Sequence, residues 1–281
     1  MTSDRSATRG TDEGVHGELR HDTRIGDQDL TRWSTPAGRA AARSATEASR
    51  RLGPHGTLAV ILAVGIVVAF VLAFLASRVY DAVTETDGVA GLDEPILHAA
   101  MGLRSPFLNG VAATVAYGFG PVGMPILAVI AIVLLAVRRR SMTPVILIAA
   151  AGVGSLLMTI AGKDIIDRHR PLLVDAIPPF EYSPSFPSGH TLNATVVCGV
   201  VAYLLILRQH TRTARALTIV LTAAIAISTG LTRILLGAHW FTDVLAAWLL
   251  GAAWLALVIT AHRLYLTVRR RDPLPVRDAG T

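Results

Sequence analysis

Three short polar clusters interrupt an otherwise apolar chain, and their residue types suit the handling of a phosphate ester. The first runs from Lys163 to Arg170 and Pro171, the second is Pro187-Ser188-Gly189-His190, and the third joins Arg233 to His239 and Asp243. Lys163 is the sole lysine of the chain; every other fixed cation is an arginine. Cations can hold the charge of phosphate oxygens, and imidazoles can attack phosphorus or pass protons. Each cluster lies at the edge of a long apolar run, where a membrane helix would meet water.

Lys163 and Arg170 are seven residues apart, so a helix continuing through both would carry them on one face as an anion site. Arginine grips phosphate in a bidentate fork, while lysine acts as a point charge. Pro187-Ser188-Gly189-His190 leads into an apolar run, so the unpaired N–H groups and positive dipole end of a helix would seat phosphate oxygens there. Ser188 adds a hydroxyl or caps the helix, Gly189 lets the backbone approach closely, and His190 stands where it can pass a proton. His239 and Asp243 are four apart at a helix start, within reach of each other. A carboxylate there orients the imidazole and leaves its other nitrogen free to attack. Gly237 permits a turn that folds Arg233 back toward His239. Each cluster also has a plainer reading: snorkelling anchors for the first, a capping serine for the second, an Arg233–Asp243 tie for the third. Three such accidents at helix ends on one side of a membrane are a poorer account than one site.

The elements that must position these groups are membrane helices. The 281 residues are 52% hydrophobic with mean hydropathy +0.51, and the apolar residues bunch into spans. Six spans are expected: about Thr57–Val79, Pro121–Val137, Pro144–Gly162, His190–Leu207, Ala216–Leu236 and His239–Tyr265. Val111–Phe119 reads as a broken or re-entrant lead-in to the second, with Gly118, Gly120 and Pro121 marking the break. The stretch from Leu92 to Leu103 reads as a surface helix. Arginines precede the first span and follow the second, fourth and sixth, which puts them together in the cytoplasm by the positive-inside rule. The three clusters then face outward; a seventh span would break this agreement.

The fold class is therefore an all-α integral membrane protein with an extracytoplasmic site. Residues 1–56 read as a disordered cytoplasmic tail, 57–266 as the membrane domain and 267–281 as a basic cytoplasmic tail. The net charge of +6 sits in short groups between apolar runs, which fits membrane topology and argues against nucleic acid as a partner. The single cysteine, Cys198, excludes an internal disulfide and reads as a packing residue.

Lys163-(six residues)-Arg170-Pro171, Pro187-Ser188-Gly189-His190 and Arg233-(five)-His239-(three)-Asp243 resemble the three signature motifs of the type 2 phosphatidic acid phosphatase superfamily, the lipid phosphate phosphatases. The resemblance spans about Thr57 to Tyr265; one departure is Thr232, where the family usually has serine. It implies a metal-independent, cofactor-free, two-step phosphoryl transfer. His239 would be the nucleophile forming a phosphohistidine, with Asp243 orienting it; His190 would protonate the leaving oxygen and then help activate water. Lys163, Arg170, Ser188, Gly189 and Arg233 would hold the phosphate. Spacing alone leaves open which histidine attacks. Asp164, Asp167, Arg168, His169, Glu181 and Tyr182 read as loop residues beside the site, and Trp240 as an interfacial anchor. The substrate implied is a lipid phosphate or diphosphate of the polyprenyl diphosphate, phosphatidic acid or phosphatidylglycerol phosphate type, with a slight lean to a cell-envelope carrier. The competing readings are a lipid phosphotransferase on the same scaffold and a non-catalytic lipid transporter or scaffold.

Overall fold

The structure, a computed structural model, describes residues 22–52 and 88–271. The expected first span, Thr57–Val79, lies outside the described residues, as do the ends 1–21 and 272–281. The described chain is mostly helical. A two-residue hairpin, β1 (Arg24–Ile25) with antiparallel β2 (Gln28–Asp29), leads into α1 (Pro36–Leu52). After the break come α2 (Asp93–Gly102), α3 (Pro106–Gly118), α4 (Gly123–Arg139), α5 (Thr143–Ile166), α6 (Gly189–Ile206), α7 (Arg212–Leu235) and α8 (Phe241–Arg271). Among the described residues α5, α6, α7 and α8 are long and apolar enough to cross a membrane, and α3 with α4 forms a pair bent by 56° that would be a fifth span.

Several boundaries differ from those expected. The lead-in to the second span is a full helix, α3, entered through Pro106 with the Ser105 hydroxyl accepting from Leu108 N. The break at Gly118–Val122 falls where the glycines and Pro121 place it. The sixth helix runs on to Arg271, beyond its expected end at Tyr265. The largest correction concerns the segment expected to be disordered through residue 56: residues 22–52 fold against the rest. Alanine spacing explains this. Ala42 and Ala45 on α1 let its backbone lie close to Leu264 and Val268 on α8. Trp33 lies under Arg263, whose guanidinium carbon is 4.4 Å from the ring centroid, and donates to Thr267. Buried Asp22 faces Arg139 and Arg208. A composition rich in charge hid an amphipathic packing face.

α6 is the hub, with 61% of its apolar window buried against 22–33% for α5, α7 and α8. Its Leu192, Val196, Val200 and Leu204 form the main core with Leu147, Ile148 and Ala151 of α5 and Ala247 and Val258 of α8. Small residues allow the approach: a Cβ at Gly199 would lie 2.4 Å from Leu255, and one at Gly154 2.2 Å from Trp254. The outer faces keep large apolar side chains such as Ile126, Val133, Leu157 and Val220 exposed, as a lipid-facing surface requires. The end of α5, the start of α6, the end of α7 and the start of α8 thus share one end of the bundle. α1 packs at the other.

Candidate active site

α5 stops before the first cluster is complete. Asp167 takes a left-handed conformation (φ 44°) and accepts no further helix, so Arg170 is not on the helical face of Lys163 as expected. The loop 167–188 carries it in instead. Lys163 holds that loop from the helix end, donating to Ser183 Oγ at 3.0 Å and to the Pro184 carbonyl. Arg170 donates to the Ser183 carbonyl and the Ala238 carbonyl, each at 2.6 Å, and its Nη1 stands 3.2 Å from His239 Nε2.

The second cluster opens α6. Ser188 is buried, its hydroxyl paired with Thr191 at 2.9 Å, and its N–H donates to the Asp243 carbonyl at 3.3 Å. It makes no side-chain cap on α6. Gly189 lies against Thr159, where a Cβ would come within 3.0 Å. His190 is buried, bonds the Ala116 backbone and presents Nδ1 to Glu181 at 3.3 Å.

The third cluster turns as Gly237 allows, at φ 67°. His239 lies ahead of α8 rather than on it, and Asp243 is in the first turn, with His239 Nδ1 3.4 Å from Asp243 Oδ2. That same oxygen accepts from Trp240 N at 3.0 Å and from Ser185 Oγ. His239 Nε2 is left facing Arg170 and Glu181. Arg233, fully buried at the end of α7, gives one nitrogen to Glu181 at 2.5 Å; its Nε and Nη1 have no hydrogen-bond partner among the described residues. Such a guanidinium needs an anion. Thr232 turns its hydroxyl back to the Thr229 carbonyl, away from this pocket.

All eight residues expected from the sequence are therefore brought to one end of the bundle, six of them with partners shared across the clusters. Four others belong with them. Glu181 reaches Arg233, Arg170 (2.8 Å), His190 and, at 3.6 Å, His239 Nε2. Burial alone would raise its pKa, but His239, Arg233 and His190 hold the carboxyl well below the usual range. Burial lowers Arg170, opposed by Glu181 and Asp243. Ser185 supports Asp243. Arg168 donates to Asp243 Oδ1 at 2.6 Å and to Asp93 at 2.6 Å. In sequence Asp93 was one acid among several after the first span, and nothing in its spacing marked it.

Two cavities meet here. One, of about 300 Å³, is lined by Arg168, Arg170, Pro184 and Gly237 and is half polar. The other, of about 580 Å³, is apolar and runs between α4 and α5 past Met124, Ala128, Ile132, Gly152 and Leu156 to Lys163 and His190. Glu181, Tyr182 and Ser183 line both. The arrangement can hold a tetrahedral anion among cations with an imidazole on either side and an apolar tail in the groove.

Known proteins resemble this chain in sequence and in fold. The profile of the PAP2 superfamily matches residues 143–265. Phosphatidylglycerophosphatase B of Bacillus subtilis is 31% identical over 175 residues, 60% of this chain and 82% of that protein. The crystal structure of the first transmembrane PAP2 type phosphatidylglycerolphosphate phosphatase from Bacillus subtilis superposes with a TM-score of 0.61 at 29% identity, covering 67% of this chain and 92% of that one.

Proposed function

The chain belongs to the PAP2 superfamily, and on that premise we propose that it is a membrane phosphatase that removes phosphate from a lipid of the phosphatidylglycerol phosphate type. The observation that carries this reading is the junction of the two cavities. An amphiphile lying in the apolar groove between α4 and α5 would deliver its phosphate among Arg170, Arg233 and the histidines, where Glu181 now sits. The B. subtilis relative, named for phosphatidylglycerophosphate, narrows the headgroup. Polyprenyl diphosphate and phosphatidic acid present the same chemistry and are the alternatives.

In this reading His239 Nε2 attacks phosphorus, the bond to the ester oxygen breaks, and His190 gives that oxygen its proton. The histidine that attacks is His239, because Asp243 holds its Nδ1 while Nε2 faces the cations. Water, deprotonated by His190, then cleaves the phosphorus–nitrogen bond and releases phosphate. Lys163, Arg170, Ser188, the Gly189 amide and Arg233 hold the oxygens and spread their charge. The site works without metal, as in its family. A phosphotransferase would use the same first step but pass the phosphoryl group to a lipid alcohol.

The topology proposed has six spans, the first at about Thr57–Val79, with both termini cytoplasmic and the site outside. Arg138, Arg139 and Arg140 at the end of α4, Arg208 after α6, Arg212 at the start of α7, and the run at the end of α8 support this orientation.

The test is release of inorganic phosphate from phosphatidylglycerol phosphate by the purified protein in detergent without an acceptor alcohol. His239→Ala and His190→Ala are each expected to lower the rate at least about 10³-fold, and EDTA to leave it unchanged. Strict dependence on a divalent cation, or full activity of His239→Ala, would refute the reading. Substrate turnover that appears only with an added lipid alcohol, with the phosphoryl group recovered on that alcohol, would favour the transferase.

A further inference from the structure

The carboxylate that orients His239 is itself held from two other parts of the chain. Asp243 is fully buried on the first turn of α8. Its Oδ2 is committed to His239, Ser185 and the Trp240 amide. Its Oδ1 has Arg168 Nη1 at 2.6 Å, and the same nitrogen donates to Thr242 Oγ1 at 2.7 Å. The other arm of the fork, Nη2, reaches Asp93 Oδ2 at 2.6 Å. Asp93 begins α2 and is buried; it also accepts from Thr242 N at 2.8 Å and Thr242 Oγ1 at 2.7 Å. Trp240 lies beside the guanidinium, with Arg168 Cζ 5.7 Å from its centroid, and donates to the His169 carbonyl at 2.8 Å.

We propose that Arg168 and Asp93 are positioning residues for the phosphoryl transfer, fixing the rotation of the Asp243 carboxylate so that Oδ2 faces His239; this rests on the reading of the site given above. A buried carboxylate with one satisfied oxygen can turn about its last bond and exchange the oxygens' roles. A guanidinium fork with one arm on each aspartate prevents that turn, because moving Asp243 breaks a bond that Asp93 holds rigid. Asp93 reads the fork's other end from a separate helix and is locked in turn by two bonds from Thr242, the residue next to Asp243. Lysine keeps the charge but cannot span both carboxylates. Arg168 lines the smaller cavity beside Arg170, but both arms of its fork are committed to Asp243, Thr242 and Asp93, so its contribution to the reaction passes through Asp243.

The consequence is a split between rate and binding. Arg168→Ala is expected to lower kcat about 10- to 100-fold, the range for groups that orient a reactive group from behind, with KM changed less than about twofold. Arg168→Lys should recover part of the loss. Asp93→Asn, which keeps the shape but weakens the tether, should give the same kcat-only signature at smaller size, and it serves if the alanine variant does not fold. The deciding measurement is a cycle with Asp243→Asn in detergent-purified full-length protein, thermal midpoints recorded beside the kinetics. In the Asp243→Asn background, Arg168→Ala should cost almost nothing further. An equal cost in both backgrounds, or a rise in KM at constant kcat, would overturn the proposal. If wild-type protein releases no phosphate at all, the reading of the site fails first, and the cycle is not reached.

Discussion

Glu181 places one carboxylate oxygen 2.5 Å from Arg233 Nη2 and the other 2.8 Å from Arg170. These are the two arginines that the signature spacing assigns to phosphate. The carboxylate thus occupies the pocket as a resident anion and supplies the counter-charge for the buried Arg233 and the half-buried Arg170. It also faces His190 Nδ1 and His239 Nε2, the nitrogens to which the proposed mechanism gives the proton transfer and the attack. A substrate phosphate and the Glu181 side chain cannot both hold these positions. In the proposed mechanism binding is therefore an exchange of anions, in which the Glu181 side chain gives way to the phosphate.

Glu181→Gln keeps the shape of the side chain and removes its charge, so the arginines keep a weaker competitor. Orthovanadate or inorganic phosphate should then inhibit more strongly, by about tenfold, because a larger fraction of molecules has an open pocket. The measurement is the inhibition constant of each variant against the same soluble phosphate ester. Unchanged or weaker inhibition would show that the carboxylate does not compete with phosphate.

The charge on Glu181 also sets a pH dependence. Its carboxyl is held below the usual range, so it binds its proton more weakly in the fold than in the unfolded chain. The stabilisation this brings is complete above the unfolded pKa of about 4.3 and fades only as pH falls toward the folded value. Glu181 is then ionised throughout pH 5 to about 8. The ratio of inhibition constants between wild type and Glu181→Gln cancels the titration of the inhibitor itself. It should stay flat across that window, and a ratio that collapses toward unity near pH 5 would mean a carboxyl whose pKa is raised rather than lowered.

How much of this was legible in the sequence differs from residue to residue. Helix existence followed from apolar runs, and the gathering of Lys163, Arg170, His190, Arg233, His239 and Asp243 at one end followed from each lying at a run's edge. The route was not always the one expected: α5 ends at Ile166, and a left-handed Asp167 carries Arg170 in by a loop. Glu181, Ser185 and Arg168 sit in loops whose conformation depends on distant partners, so no period marked them. Asp93 lies 150 residues from Asp243 in sequence and finds it only through the packing of α2 beside α8. The hidden docking face of α1 has the same cause. Alanines read as filler until the groove they fit is known.

Substrate length should be read by the groove between α4 and α5. Gly152 lines it, and a Cβ built there meets nothing within 4 Å. Gly152→Leu therefore adds bulk to open space rather than to a neighbour, and leucine suits a helix better than glycine. The KM for a long-chain phosphatidate is expected to rise about tenfold, the scale of one blocked apolar subsite, while kcat/KM for p-nitrophenyl phosphate stays within about twofold. An equal loss on both substrates would indicate damage to the site, and no loss on either would take the acyl chain out of this groove.

The docked N-terminal segment can be tested apart from the chemistry. Trp33 packs against Arg263 and bonds Thr267 on α8, while Gly38 presses on its ring, where a Cβ would come within 2.6 Å. Trp33→Ala removes the largest apolar group at this contact, at a cost of about 3 kcal/mol to the docking of residues 22–52. Cleavage within that segment by a soluble protease should then speed up about 100-fold, since a local opening equilibrium shifts by that factor for each ~2.7 kcal/mol. The site sits at the opposite end of the bundle, so phosphate release should remain within about twofold of wild type. A matching drop in kcat without loss of thermal stability would show that the two ends are coupled through α8, and that docking of the segment reports on the state of His239.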